Sequence, residues 1–212
     1  MTKISRLKKE LSAQHVGLVL FDTLNGYLHS DDPRKQAFLS ENNILPNMQQ
    51  LLSGARAVGM TTFYPSGMHG ANHVDCVERL TDTDMELNPS PTTPILPRFK
   101  KGSWEVQIPE EIAPLDTDVI IPKNRWNAFH ATNLELQMRV RGLDTIIIAG
   151  GSTDVGIAST VFAARDMDCG IVVVRDACYS TRGGNHDFFM DRVFPRMGRV
   201  MSVKDTVALM TA

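Results

Sequence analysis

Cysteine is scarce in this 212-residue chain: Cys76, Cys169 and Cys178 are the whole set. An odd, scattered set builds no disulfide framework, and no two of the three are spaced as CxxC, which argues against a structural zinc site. It suits a reducing compartment, so cytoplasm is the expected location. Neither sign of charge is in excess. Lys and Arg number 22 against 24 Asp and Glu, a net charge of −2. That excludes nucleic acid or an anionic membrane surface as the main partner. No apolar run approaches the roughly 20 residues needed to cross a bilayer. The opening segment, MTKISRLKKELSAQ, is basic but lacks the apolar stretch of a secretory signal, and reads as a short amphipathic helix.

What is present is a core. Apolar residues make up 42% of the chain. The length fits one domain, 1–212, with no repeat or linker in view. Six short apolar runs without polar alternation read as strands buried on both faces: Val16–Phe21, Met60–Tyr64, Asp118–Ile121, Thr145–Ala149, Ile171–Val174 and Arg199–Ser202. Helical patterns lie between them. Leu45, Met48, Leu51, Leu52, Ala55 and Val58 mark one helix, with Pro46 near its start. Leu134 and Met138 mark a second, entered through Thr132 or Asn133. Val155–Met167 and His186–Phe194 read as two more. Alternation of this kind predicts an α/β fold: a three-layer α/β/α, Rossmann-like sandwich on a mostly parallel sheet of about six strands. The proline-rich segment 81–103 breaks the pattern. It reads as a cover over a site, an oligomer contact or a solvated loop.

In such sheets ligands bind beyond the carboxyl ends of the strands, where the strand order reverses. Three features fall there. Asp22 follows the first strand. Lys123 follows the run DVIIP. The turn Gly150-Gly151-Ser152-Thr153-Asp154-Val155-Gly156 follows TIIIA. A strand, a glycine turn and a helix start together aim N–H groups and about half a positive charge at a ligand, a place to hold an anion or an oxyanion. With a carboxylate and an ammonium beside it, the crevice is equipped for acid–base chemistry.

These segments, in this order, resemble the isochorismatase-like hydrolases, a superfamily that includes nicotinamidases, N-carbamoylsarcosine amidohydrolases and isochorismatases. The resemblance runs from about Val16 to Val203, through VLFDTLNGYL, KGSWEVQIPEEIAP, IPKNRWNAFHATNLELQMRVRGLDTIIIAGG, STDVGIASTVFAARD and IVVVRDACYS. It implies a hydrolase acting on a small molecule, without a cofactor, as a homo-oligomer (dimer or tetramer). The usual triad is Asp, Lys and Cys. Asp22 and Lys123 match the first two, while the cysteine position falls on Gly156. A cis peptide bond before the nucleophile maps onto Gly151-Ser152. Ser152, Val155 and Gly156 are then the candidate oxyanion cradle. The metal-binding pattern of the nicotinamidase-like members, Asp-x-His with a later His, falls on SGMHGANH, where Gly67 replaces the aspartate and His69 and His73 remain. No metal is expected. His69 is a candidate substrate contact or a surface residue.

Glycine at the cysteine position also occurs in the isochorismatases proper, which the segment RWNAFH resembles too. They cleave a vinyl ether without a covalent intermediate. The resemblance implies Asp22 and Lys123 as the catalytic pair, with Asp22 either protonating the substrate or activating water. Leu24 departs from the glutamine frequent after the aspartate, so isochorismate itself is not implied. Tyr27, Arg125, Trp126 and Phe129 are candidate substrate contacts, a guanidinium and aromatic faces suiting a carboxylated ring. For Trp126 and Phe129, packing under the next helix is the competing role. The alternatives are an amidohydrolase with a relocated cysteine, Cys178 after the next strand end, or a binding protein of the same fold without catalysis.

Overall fold

The computed structural model describes residues 10–70, 72, 75 and 99–212. Its centre is a six-stranded, all-parallel sheet built from β2 (Val16–Phe21), β3 (Thr62–Gly67), β4 (Val119–Lys123), β5 (Thr145–Gly151), β6 (Gly170–Tyr179) and β7 (Arg199–Met201). The spatial order is β4-β3-β2-β5-β6-β7. The chain lays strands outward from β2 on one side, then crosses to β5 and builds outward on the other. The reversal therefore lies between β2 and β5, as the α/β rule requires for a ligand crevice.

Alternation along β2 assigns the two layers. Leu18 and Leu20 face a core shared with α3 (Ile44–Ala57), α7 (Val203–Leu209) and the small pair formed by β1 (Leu11–Ser12) and β8 (Met210–Thr211). Val19 and Phe21 face the other layer, with α4 (Leu134–Arg139) and α5 (Ala158–Asp166). The helices α1 (Asn25–Leu28), α2 (Pro33–Glu41) and α6 (Asn185–Phe188) are short or peripheral. The expected three-layer α/β/α architecture is what the chain forms.

Several boundaries differ from the sequence reading. β5 runs through Gly150 and Gly151, which pair in register with Cys178 and Tyr179 of β6. The glycines therefore end the strand and do not form the turn. Gly150 has φ 128°, and a Cβ there would lie 2.0 Å from the Phe21 carbonyl oxygen. Only glycine permits this approach of β5 to β2. Gly156 is not the first residue of an α-helix. It sits in a wide turn, Thr153–Ile157, whose Ile157 N–H reaches five residues back to the Ser152 carbonyl at 3.1 Å. α5 starts only at Ala158. β6 is ten residues long, so Cys178 lies inside it and not beyond its end. The 186–194 helix is one helical turn followed by wider and tighter turns. Of the expected N-terminal helix, residues 1–9 lie outside the described residues, and Leu11–Ser12 form β1. Residues 81–98 of the proline-rich segment also lie outside them.

Candidate active site

Asp22 follows β2 with φ 48° and is 7% exposed; Lys123 closes β4 and is 4% exposed. β3 lies between these strands, with Gly67 directly opposite Lys123. The gap is bridged at the strand ends. Lys123 Nζ donates to Asp22 Oδ2 at 2.7 Å, and the Gly67 N–H donates to Asp22 Oδ1 at 2.7 Å. A Cβ at 67 would lie 3.1 Å from Asp22 Oδ1, so the glycine lets the backbone close on the carboxylate. Burial raises the Asp22 pKa above the ordinary carboxylate range; the Lys123 ammonium and the two hydrogen bonds pull against that rise without cancelling it.

Asp22 opens on a cavity of about 230 Å³, lined by Phe21, Asp22, Tyr27, Lys35, Trp126, Gly151, Ser152, Val155, Gly156, Tyr179, Thr181 and Arg182. It is smaller than the ~300–1,000 Å³ common for drug-sized ligands. Phe21 is one of its lining residues. The Phe21 ring lies beneath Lys123 Nζ, 4.3 Å from the centroid, and a Cβ on Gly156 would come within 2.2 Å of Phe21 Cε1. Tyr179 forms another wall. Its ring takes the space beside Gly151, where a Cβ would meet it at 2.4 Å. Burial, first of all, and the negative Asp22 nearby raise the Tyr179 pKa, so its hydroxyl keeps its proton at neutral pH.

The Gly151-Ser152 peptide bond is cis, at the position expected. Ser152 Oγ donates to the Asp154 carboxylate, whose other oxygen accepts from Asn185 Nδ2 at 2.7 Å. Partial burial would raise the Asp154 pKa, but hydrogen bonds from Ser152, Asn185 and Ser180 outweigh it and hold it below the ordinary range. Thr153 Oγ1 contacts His186 Nδ1 at 2.9 Å. The turn is thereby tied to α6. The Val155 N–H is engaged by the Ser152 carbonyl at 3.3 Å, which weakens its part in an oxyanion cradle.

The other candidates separate into two groups. Tyr27 and Trp126 line the cavity; Tyr27 stacks on Phe99 at 4.3 Å, and Trp126 is 53% exposed. Arg125, Phe129 and His69 do not. Arg125 is exposed and donates to the carbonyls of Asp75 and Asn124, and Phe129 packs against the α4–α5 core. His69 pairs with the Asp75 carboxylate at 3.6 Å. Gly67 supplies no metal ligand, and His73 lies outside the described residues. Among the described residues no group of three or more His, Cys, Asp or Glu side chains could hold a metal ion. Cys178 is 2% exposed, and burial pushes its thiol pKa up, opposite to what a nucleophile needs. The sequence reading passed over Phe21, Lys35, Tyr179, Thr181 and Arg182. Tyr179 ends a strand beside the reversal point, a position the strand-end rule could have flagged.

A family model described as the isochorismatase domain matches residues 16–205. The chain belongs to the isochorismatase family. It is similar to the family member YecD of Escherichia coli O157:H7, 31% identical over 196 residues, 92% of this chain and 96% of YecD. It is also similar to an N-carbamoylsarcosine amidase of Arthrobacter, 33% identical over 118 residues, 56% of this chain and 42% of the amidase. Among solved structures, an isochorismatase family protein of Burkholderia thailandensis superposes with a TM-score of 0.76 at 25% identity, covering 92% of this chain and 95% of its own. No helix among the described residues is long and apolar enough to cross a membrane.

Proposed function

We propose that this family member is a hydrolase of a small, cyclic or carboxylated molecule, using Asp22 and Lys123 for acid–base catalysis with no thiol nucleophile. The bond broken is a vinyl ether or a related C–O or C–N bond. The observation that carries this reading is the buried Asp22–Lys123 contact at 2.7 Å, whose Asp22 lines a cavity also lined by the bare Gly156 of the wide turn. The raised Asp22 pKa supports its use as the acid. In a vinyl ether, protonated Asp22 delivers its proton to the terminal methylene carbon. Water then adds to the oxocarbenium carbon and gives its proton back to Asp22, and the hemiketal collapses to a ketone and an alcohol. Lys123 orients the carboxyl group and stabilises it once the proton has left. In this reading the N–H groups of the wide turn around Gly156 meet the oxygen that gains charge as the hemiketal collapses.

The relatives named N-carbamoylsarcosine amidase and ureidoacrylate amidohydrolase give weight to C–N hydrolysis as the second form of this reaction. Without a thiol, water is the attacking group there, and Asp22 in its ionised form is the base. The buried, pKa-raised Cys178 offers the relocated-nucleophile reading no support. A panel of vinyl ethers, amides and esters tests the proposal. Turnover by the wild type and its loss, by about 10²–10⁴-fold, in a folded Asp22→Asn variant is the expected result. Full activity in that variant refutes it.

A further inference from the structure

We infer that Phe21 is a positioning residue that decides which chemistry the site can run, by occupying the seat a nucleophilic side chain at 156 would need. The inference rests on the reading of Gly156 as the wall facing the Asp22–Lys123 pair. Three observations carry it. An ideal Cβ on Gly156 would lie 2.2 Å from Phe21 Cε1 and 2.5 Å from Cζ, distances no real contact shows. The Phe21 side chain is 1% exposed and packs in the core beneath α5, with its ring bordering the cavity. The same ring carries Lys123 Nζ 4.3 Å above its centroid. A ring in this place therefore does two things. As placed it leaves no room for a side chain at 156 unless the ring shifts, and it gives the ammonium an electron-rich seat while Lys123 holds Asp22. Phe21 and Gly156 are a volume-coupled pair: a large residue at 21 requires glycine at 156, and a smaller one opens the wide turn to a thiol. A thiol at that point would meet the positive end of the wide turn and of α5, and Lys123 across the crevice, both of which favour thiolate.

The test needs no substrate. Gly156→Ala is made alone and in a Phe21→Val background, and unfolding midpoints are compared. The single variant is expected to lose roughly 3–10 °C from overpacking, and the same change in the Phe21→Val background to cost little or to restore stability. Gly156→Cys is then compared with Phe21→Val/Gly156→Cys by iodoacetamide labelling across pH, resolved at residue 156 by peptide mass spectrometry. The double variant is expected to label at least tenfold faster at pH 7, with a midpoint below the ordinary thiol value of about 8.5. Equal Gly156→Ala losses in both backgrounds overturn the coupling. Equal labelling of the single and double Cys variants, or a midpoint at or above 8.5, overturns the seat. Neither outcome bears on Asp22, whose substitution tests the proposed reaction separately.

Discussion

A carboxylate and an ammonium taken out of water together depend on each other. Asp22 and Lys123 are both under 10% exposed and 2.7 Å apart. Removing either partner leaves the other charge buried and uncompensated. Lys123→Met is expected to cost about 3–5 kcal/mol in a denaturant titration, or to leave Asp22 protonated in the fold. The pH dependence follows the raised Asp22 pKa. An acid whose folded pKa is raised keeps its proton to higher pH, so acid-dependent turnover is held at low pH and lost as pH rises through the folded value. The falling limb of kcat/KM should lie above the ordinary Asp value of about 3.9 and be absent from Asp22→Asn. A limb that rises with pH would assign Asp22 the role of base. Both residues were legible in the sequence because each ends an apolar strand. Their proximity was expected from the strand ends and the resemblance; the Gly67 N–H that shares Asp22 was not, since its close approach leaves no local trace.

At the scale of elements, the glycine segment is two structures, a strand end and a wide turn. Sequence patterning located both and merged them. Nothing in TIIIAGGSTDVG states that the glycines pair with β6; that follows from Phe21 approaching Gly150 from the neighbouring strand. Short pieces such as β1, β8 and α1 escaped notice because two to four residues carry no period. The turn has its own anchor in Asp154, which holds Ser152 and Asn185. Its pKa is lowered in the fold, so its contribution is present above the unfolded value near 3.9 and disappears as pH falls through the folded one. Asp154→Ala is expected to destabilise by about 1–3 kcal/mol at pH 7, and far less at pH 2–3. Thermal melts at the two pH values measure the difference.

On the scale of the whole molecule, strand order is what brings the parts together. The apolar runs and their alternation with helices were enough to predict a mostly parallel sheet and the crevice at its strand ends. The cavity's walls were only partly foreseen. Tyr27 and Trp126 were recognisable as aromatic residues close to the strand ends, whereas Lys35, Thr181 and Arg182 are carried in by tertiary folding. The tightest point of the assembly is Gly150. Gly150→Ala places a Cβ 2.0 Å from the Phe21 carbonyl, at a φ that L-residues avoid. Its expected effect is a loss of soluble, folded protein, or an unfolding midpoint lowered by more than 10 °C in a melting experiment. A wild-type midpoint would show that β2 and β5 can part at low cost.

The Asp22–Lys123 contact spans 101 residues of sequence. Closing so long a loop is entropically costly, and the contact forms only with β2, β3 and β4 side by side. A hairpin or a lone βαβ unit of this chain would have no proton donor held by an ammonium. The buried pair is thus completed only with one half of the sheet. A chain stalled before that point lacks this ion pair, however much helix and strand it has already formed.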